Sequence, residues 1–140
     1  QPAFEWQAPG NAGAFRVSIY DSDFELVESS GTVQGRVWIS RKPLPRGKIF
    51  NWTVSAIMDG TRVTAPRPPE PEARFRVASA EEARQMDAAR KAAPASDLQI
   101  ALAAARLGFR DEAREALRRL QAQNPGSPLA QQLLENFPAK

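Results

Sequence analysis

Few of the residue types that perform catalysis occur in this chain of 140 residues. Histidine and cysteine are both absent, which excludes an imidazole base, a thiolate nucleophile, a disulfide and any metal site built from these two residues. The sequence contains no glycine-rich phosphate loop, and no pair of carboxylates stands out as a general acid and base. We therefore predict that the chain is not an enzyme and has no catalytic residue, cofactor or metal ion.

One acidic pair has the spacing of a cation site. Asp21 and Asp23 are separated by a single residue, and two such carboxylates can converge on a divalent cation. They also lie between two predicted strands, where Asp and Ser are ordinary turn residues. The sequence favours a turn over a cation site.

A proline-rich stretch follows the sixth predicted strand. Arg67, Pro68 and Pro71 have the spacing of a polyproline ligand for an aromatic-lined groove. The alternative is a stiff extended loop, whose prolines would also protect a sheet edge from unwanted pairing. We favour the loop, because so short a proline motif is weakly specific.

Trp38 is the candidate residue for binding a glycan. It alternates with Val37 and Ile39 along a predicted strand, so either Trp38 or its two neighbours face away from the core. An exposed Trp38 would provide a stacking platform for a sugar or an anchor for a protein. We favour a Trp38 that is covered by a neighbouring element, such as the helical C-terminal part, because large exposed apolar residues are the exception.

Arginines recur at helical spacing near the C-terminus, beside Glu112 and Glu115. Three of them, Arg110, Arg114 and Arg118, are candidate contacts for an acidic partner. The default interpretation is a solvated helix face with ion pairs inside the helix. The glycosylation pattern at residues 51–53 falls inside a predicted strand, so we interpret it as a chance match.

Charge and hydropathy exclude several classes of partner. The formal net charge of +3 is mild, and both halves of the chain are nearly balanced, so nucleic acid is not an expected partner. No apolar run approaches the length of a membrane span. Because the sequence begins at Gln1 rather than Met, on a segment that already has the pattern of a strand at 4–6, we expect a fragment of a larger protein, with any membrane anchor upstream.

Composition divides the chain into two parts, residues 1–78 and 79–140. All three Trp residues and the only Tyr lie in the first part, and 16 of the 24 Ala residues lie in the second, which favours strands followed by helices. Alternating apolar residues and turn signals, among them residues 9–11 and 59–60, predict about seven short strands. The predicted strands are 4–6, 15–20, 24–28, 36–40, 49–57, 61–64 and 73–78. The fold class is α+β, with an antiparallel β-sandwich followed by helices.

The predicted core of the sandwich consists of the aromatic and β-branched residues on the inward strand positions. These are Trp6, Phe15, Val17, Ile19, Trp52, Val54, Phe75 and Val77.

The second part is predicted to contain three to four helices. The first spans 80 to about 92 and ends before Pro94; the second runs from a cap at Ser96 or Asp97 to Gly108. The third spans about 111–124, and a fourth follows Pro128, which suits a first helical turn.

The sequence resembles two known families. Residues 15–21, 44–56 and 73–77 resemble the fibronectin type III-like modules of bacterial envelope proteins, and this resemblance covers residues 4–78. Residues 98–128 are similar to a single degenerate tetratricopeptide repeat, in which small residues at Ala101 and Ala113 let two helices approach closely. Asp97 and Ala104 depart from the aromatic residues that are usual in that repeat.

These resemblances imply a function without catalysis. We expect a protein-interaction or assembly module, the periplasmic or other extracytoplasmic part of a larger membrane-associated bacterial protein. Its partner would be a protein or a second copy, bound in the groove of the helical pair or at a sheet edge. The alternative is a carbohydrate-binding sandwich that uses an exposed Trp38.

Overall fold

The computed structural model describes residues 1–8, 12–58, 60–92 and 96–137. The predicted turn at 9–11, Asp59 of the turn at 59–60 and the helix stop at Pro94 lie outside these residues. The chain divides into two compact units, residues 1–79 and 80–140, here called the β unit and the helical unit. The architecture is α+β, as predicted, with seven strands and four helices among the described residues.

Alternation of apolar and polar residues produces the strands of the β unit. They are β1 (Ala3–Glu5), β2 (Phe15–Tyr20), β3 (Leu26–Ser29), β4 (Val37–Ile39), β5 (Ile49–Met58), β6 (Thr61–Ala65) and β7 (Ala73–Arg76). Strands β1 and β4 form one sheet, and the other five form a second sheet in the order β3-β2-β5-β6, with β7 also paired to β5. All the pairings are antiparallel.

The third strand begins later than the predicted residue 24, because the chain is still turning there. The Asp21 side chain accepts hydrogen bonds from the backbone N–H groups of Asp23 and Glu25, both at 2.9 Å. Phe24 has a φ of 61°, a left-handed conformation that does not occur in a strand. The predicted turn at Asp21 is therefore confirmed, and strand pairing resumes at Leu26.

The core of the β unit is largely aromatic. Its buried cluster comprises Phe4, Trp6, Phe15, Val17, Ile19, Trp38, Leu44 and Phe50. The predicted core residues Trp52, Val54, Phe75 and Val77 are partly buried and pack against this cluster. Phe4 of β1 lies 5.1 Å from both the Trp52 and the Phe75 rings, measured between centroids, so side chains of the two sheets share one core.

Four helices form the helical unit: α1 (Ala80–Lys91), α2 (Asp97–Leu107), α3 (Arg110–Gln123) and α4 (Pro128–Glu135). Gly108 ends α2 in the left-handed conformation, with φ 82°, which a glycine adopts at little cost. Small residues form the interior: Ala104 and Ala113 pack with Met86, and Ala101 and Ala116 pack with Leu117.

Ser96 starts α2 with a reciprocal cap. Its hydroxyl accepts a bond from the Gln99 N–H at 3.1 Å, and the Gln99 side chain accepts one from the Ser96 N–H at 3.4 Å. We expect Ser96→Ala to lower the unfolding free energy by about 1 kcal/mol, because an N–H of the first turn loses its partner. Thermal denaturation followed by helical circular dichroism measures this, with Ser96→Thr as the matched control that keeps the hydroxyl. Equal losses in both variants would contradict the capping role.

Candidate functional site

Trp38, the candidate residue for glycan binding, lies in β4. Trp38 lies opposite Phe4 of β1, its ring is stacked on the Phe4 ring with centroids 5.6 Å apart, and it is only 9% exposed. The covered alternative is therefore the one observed. Stacking of a sugar needs an open aromatic face. Because the Trp38 ring is covered, it cannot be the stacking platform of the alternative carbohydrate site.

The burial of Trp38 places its two neighbours at the surface. Val37 and Ile39 are each 55% exposed, because alternate residues of a strand point to opposite faces. Their side chains lie on the same outward face, two residues apart. An apolar pair at the surface is thus the direct consequence of a buried Trp38.

The proline-rich segment is a turn in the structure. The Glu70 N–H donates to the Arg67 carbonyl at 2.6 Å, and the Arg67 N–H donates to a Glu70 side-chain oxygen at 2.9 Å. A polyproline helix has no internal hydrogen bonds, and an extended loop would not close on itself. The segment is a loop between β6 and β7, as we favoured, but it contains a turn at Arg67–Glu70 and is neither extended nor a polyproline helix at Arg67, Pro68 and Pro71.

The asparagine of the glycosylation pattern at residues 51–53 is buried. Asn51 in β5 is 7% exposed, and its oxygen accepts a hydrogen bond from the Arg74 guanidinium at 3.2 Å. Its amide nitrogen is 3.5 Å from the Asp21 carbonyl that it donates to. Such a side chain is not available for modification, which agrees with a chance match.

The arginines of α3 mostly contact residues of their own unit. Arg114 donates to the Phe137 carbonyl at 2.9 Å and lies 5.8 Å from the centre of the Phe137 ring. Arg118 lies 3.6 Å from Glu115 of the same helix, as the default interpretation expected. Arg110 is exposed. The three predicted contact residues therefore do not form one cationic surface, since Arg114 is used inside the unit.

Two further ion pairs join helices of this unit. Arg119 of α3 donates to Asp97 at 2.8 Å, where Gln123 also donates at 2.9 Å. These bonds to Asp97 hold α3 against the start of α2. Asp97 is the residue that departs from the aromatic residue usual in a tetratricopeptide repeat. Arg90 of α1 makes two bonds to Glu112, at 2.8 and 2.7 Å, and the bond to Glu112 raises the pKa of the Arg90 guanidinium.

A buried carboxylate that sequence reasoning missed connects the two sheets of the β unit. Glu28 of β3 is 7% exposed. Its side chain accepts a hydrogen bond from the Ser40 hydroxyl at 2.6 Å and one from the Arg41 N–H at 3.1 Å. Glu28 lies opposite the fully buried Ile19 in the sheet register, which places it on the inward face. The parity of the predicted strand was the available signal, but the register shifts between the pairs Tyr20–Leu26 and Ile19–Glu28, which leaves Val27 without a partner and breaks that parity.

One small apolar pocket lies at the end of the five-stranded sheet. It has a volume of about 90 Å³ and is lined mainly by side chains of the core and of β5 and β6, among them Phe15, Met58 and Val63. Trp6 also lines it, and the buried Trp6 indole N–H has no hydrogen-bond partner among the residues that the structure describes. That nitrogen is itself shielded from solvent, so the pocket offers apolar contact and little polar recognition.

Comparison of the sequence with family models and with curated proteins found no relative. No protein-family model matches the chain, and no curated protein matches it significantly.

Within residues 1–8, 12–58, 60–92 and 96–137, no three acidic side chains come together in a group that could hold a metal ion. No helix in this described part is long and apolar enough to span a bilayer.

Large hydrophobic side chains are exposed on both units. In the β unit they include two pairs of residues separated by one position, Phe24 with Leu26 and Val37 with Ile39, each residue between 55% and 60% exposed. In the helical unit Leu102 of α2 is 60% exposed and Leu129 of α4 is 62% exposed. These surfaces are the strongest candidates for a functional site in the described residues.

Proposed function

We propose that this chain is a non-enzymatic protein-interaction or assembly module. The observation that carries the proposal is the pairing of exposed apolar residues on the β unit. Single exposed hydrophobic residues are ordinary at a protein surface, but Val37 and Ile39 share one face of a short strand and form a continuous apolar strip. Contact with another protein removes such a strip from water at a gain of about 25 cal/mol per Å².

The finer description of the fold belongs to the same proposal. We interpret the β unit as a fibronectin type III-like sandwich, supported by the contacts of Phe4 with Trp52 and Phe75 from the other sheet. We interpret α2 and α3 as a degenerate tetratricopeptide-like pair. The burial of Ala101 and Ala113, which are 3% and 0% exposed, supports close helix packing of this kind.

The resemblance to bacterial envelope modules also supports a location. We place the chain in the extracytoplasmic part of a larger, membrane-associated bacterial protein, in the periplasm. A protein partner or a second copy would then be met in that compartment. Recovery of a specific partner only from cytoplasmic extract, and never from envelope extract, would contradict this location.

Affinity capture from a bacterial envelope extract tests the function. We expect the full chain to capture a discrete partner or a second copy. We also expect one of three double serine substitutions, at Val37 with Ile39, at Phe24 with Leu26, or at Leu102 with Leu129, to abolish the capture. The matched control places serine at two exposed polar residues, Arg62 and Gln123. A monodisperse monomer that captures nothing, or capture that survives all three substitutions, would contradict an interaction function through these surfaces.

A further inference from the structure

In the part of the chain that the structure describes, the backbone of β4 has one edge without a partner strand. The bonds that flank its pairing with β1 run from the Ser40 N–H to the Pro2 carbonyl at 3.0 Å and from the Trp6 N–H to the Arg36 carbonyl at 3.1 Å. Because hydrogen-bonded pairs alternate in an antiparallel ladder, the N–H and C=O groups of Val37 and Ile39 point away from β1. β4 pairs with β1 alone among the described strands.

The side chains of the same two residues are also exposed to solvent. Val37 and Ile39 are more than half exposed, so the open edge combines unpaired backbone groups with an apolar strip. An exposed apolar edge of this kind is a template for an added strand. Main-chain hydrogen bonds would bind such a strand, and its alternate side chains would pack on Val37 and Ile39.

The chain segment that contains β4 is positively charged, although Glu5 of β1 lies opposite Val37 and the Glu28 side chain accepts a hydrogen bond from the Arg41 N–H. Residues 29–58 contain five cations and no Asp or Glu, and all five are exposed: Arg36, Arg41, Lys42, Arg46 and Lys48. None of the five charged side chains forms an ion pair within the described ranges 1–8, 12–58, 60–92 and 96–137. Arg36 directly precedes the strand, and Arg41 and Lys42 follow it after Ser40, so a partner with acidic flanks is complementary to it.

We propose that the open edge of β4 receives an extended segment of a protein partner as an added strand, with apolar residues at alternate positions and acidic residues at its ends. The proposal rests on the proposed interaction function and names the site and the partner class. A second copy is disfavoured, because pairing of β4 with another β4 brings two sets of cations onto one ribbon. A membrane surface is disfavoured, because lipid provides no partners for the edge N–H and C=O groups.

The test uses the full chain and a synthetic peptide in which valine alternates with threonine between glutamate pairs. Fluorescence anisotropy measures binding, and amide hydrogen exchange locates it. We expect saturable binding and slower exchange at the Val37 and Ile39 N–H groups. N-methylation of alternate peptide amides should abolish binding, since it removes the main-chain donors. Lysine in place of the glutamates should weaken it by about tenfold or more.

Substitutions separate this edge from the rest of the sheet. Val37→Pro removes an N–H that points away from β1, so we expect the β1–β4 pairing to survive and peptide affinity to fall by about tenfold or more. Ala3→Pro, the matched control, makes the same change at the outer edge of β1 and should leave the affinity within about twofold. Arg36→Glu with Lys42→Glu should weaken binding without touching the backbone, whereas Arg16→Glu with Arg62→Glu should not.

Several outcomes overturn the proposal. Exchange protection at Ala3 and Glu5, in place of Val37 and Ile39, would show that the peptide binds the outer edge of β1 and not β4. Slow exchange at Val37 and Ile39 in a dimer without peptide would assign the edge to a second copy. Binding to phosphatidylglycerol vesicles without peptide binding would assign the cations to a membrane. If an envelope partner is captured equally by Val37→Pro, the interaction function stands and the β4 site does not.

Discussion

Glu28→Ala is expected to lower the free energy of unfolding by about 2–3 kcal/mol, because it removes a buried charged acceptor. The Glu28 carboxylate accepts from the Ser40 hydroxyl at 2.6 Å and from the Arg41 N–H at 3.1 Å. Alanine leaves the Arg41 N–H without that acceptor. The Ser40 hydroxyl retains only its bond to the Lys42 carbonyl, at 2.9 Å.

Urea denaturation followed by tryptophan fluorescence measures this effect, since the three Trp residues all lie in the β unit. Glu5→Ala is the matched control, because Glu5 lies on β1 with an exposed side chain. We expect that control to stay within about 0.5 kcal/mol of the unmodified chain. A Glu28→Ala variant as stable as the control would show that Glu28 does not hold the two sheets together.

Ala113→Leu is expected to destabilise the helical unit by about 1–3 kcal/mol, because added volume in a packed interior forces neighbouring side chains from their rotamers. Ala113 is 0% exposed and packs with Met86 and Ala104 in one cluster. Leucine and alanine are both good helix formers, so the loss would come from packing and not from helix propensity.

Ala122→Leu is the matched control on the same helix, where the side chain is exposed. Thermal denaturation followed by helical circular dichroism compares the two variants. We expect Ala122→Leu to match the unmodified chain and Ala113→Leu to melt several degrees lower, as about 1 kcal/mol corresponds to about 4–8 °C in a domain of this size. Equal melting temperatures would contradict the tight packing of α3.

The elements of this fold were largely predictable, because their signals are local. Alternation along Phe15–Tyr20 and Ile49–Met58 and the cap at Ser96 act within a few residues. Each of the seven predicted strands has a counterpart, and so has each of the four predicted helices. The prediction placed the start of β3 at 24, where the Asp21 turn still holds the chain. Its core set also omitted four buried residues, Phe4, Trp38, Leu44 and Phe50.

The candidate sites were less predictable, because each depends on contacts between distant segments. Trp38 is covered by Phe4, some thirty residues away in the chain, and Arg114 contacts the carbonyl of Phe137. The turn at residues 67–70 is held by hydrogen bonds between Arg67 and Glu70, which the proline content of the segment does not specify. The alternation of residues in β4 allowed either face of the strand to be buried, and the packing of Phe4 and Trp38 in the aromatic core decided which one is.

The sequence by itself determined the two-part division, the order of strands and helices and the absence of histidine and cysteine chemistry, because composition and short-range periodicity carry that information. Tertiary structure alone decided which face of β4 is buried and which of its edges stays open. It also decided that Glu28 lies between the sheets. Burial is a property of the elements that pack against a residue, and a strand pattern with two equivalent faces does not specify them. The exposure of Val37 and Ile39, on which the proposed partner site depends, follows from that packing.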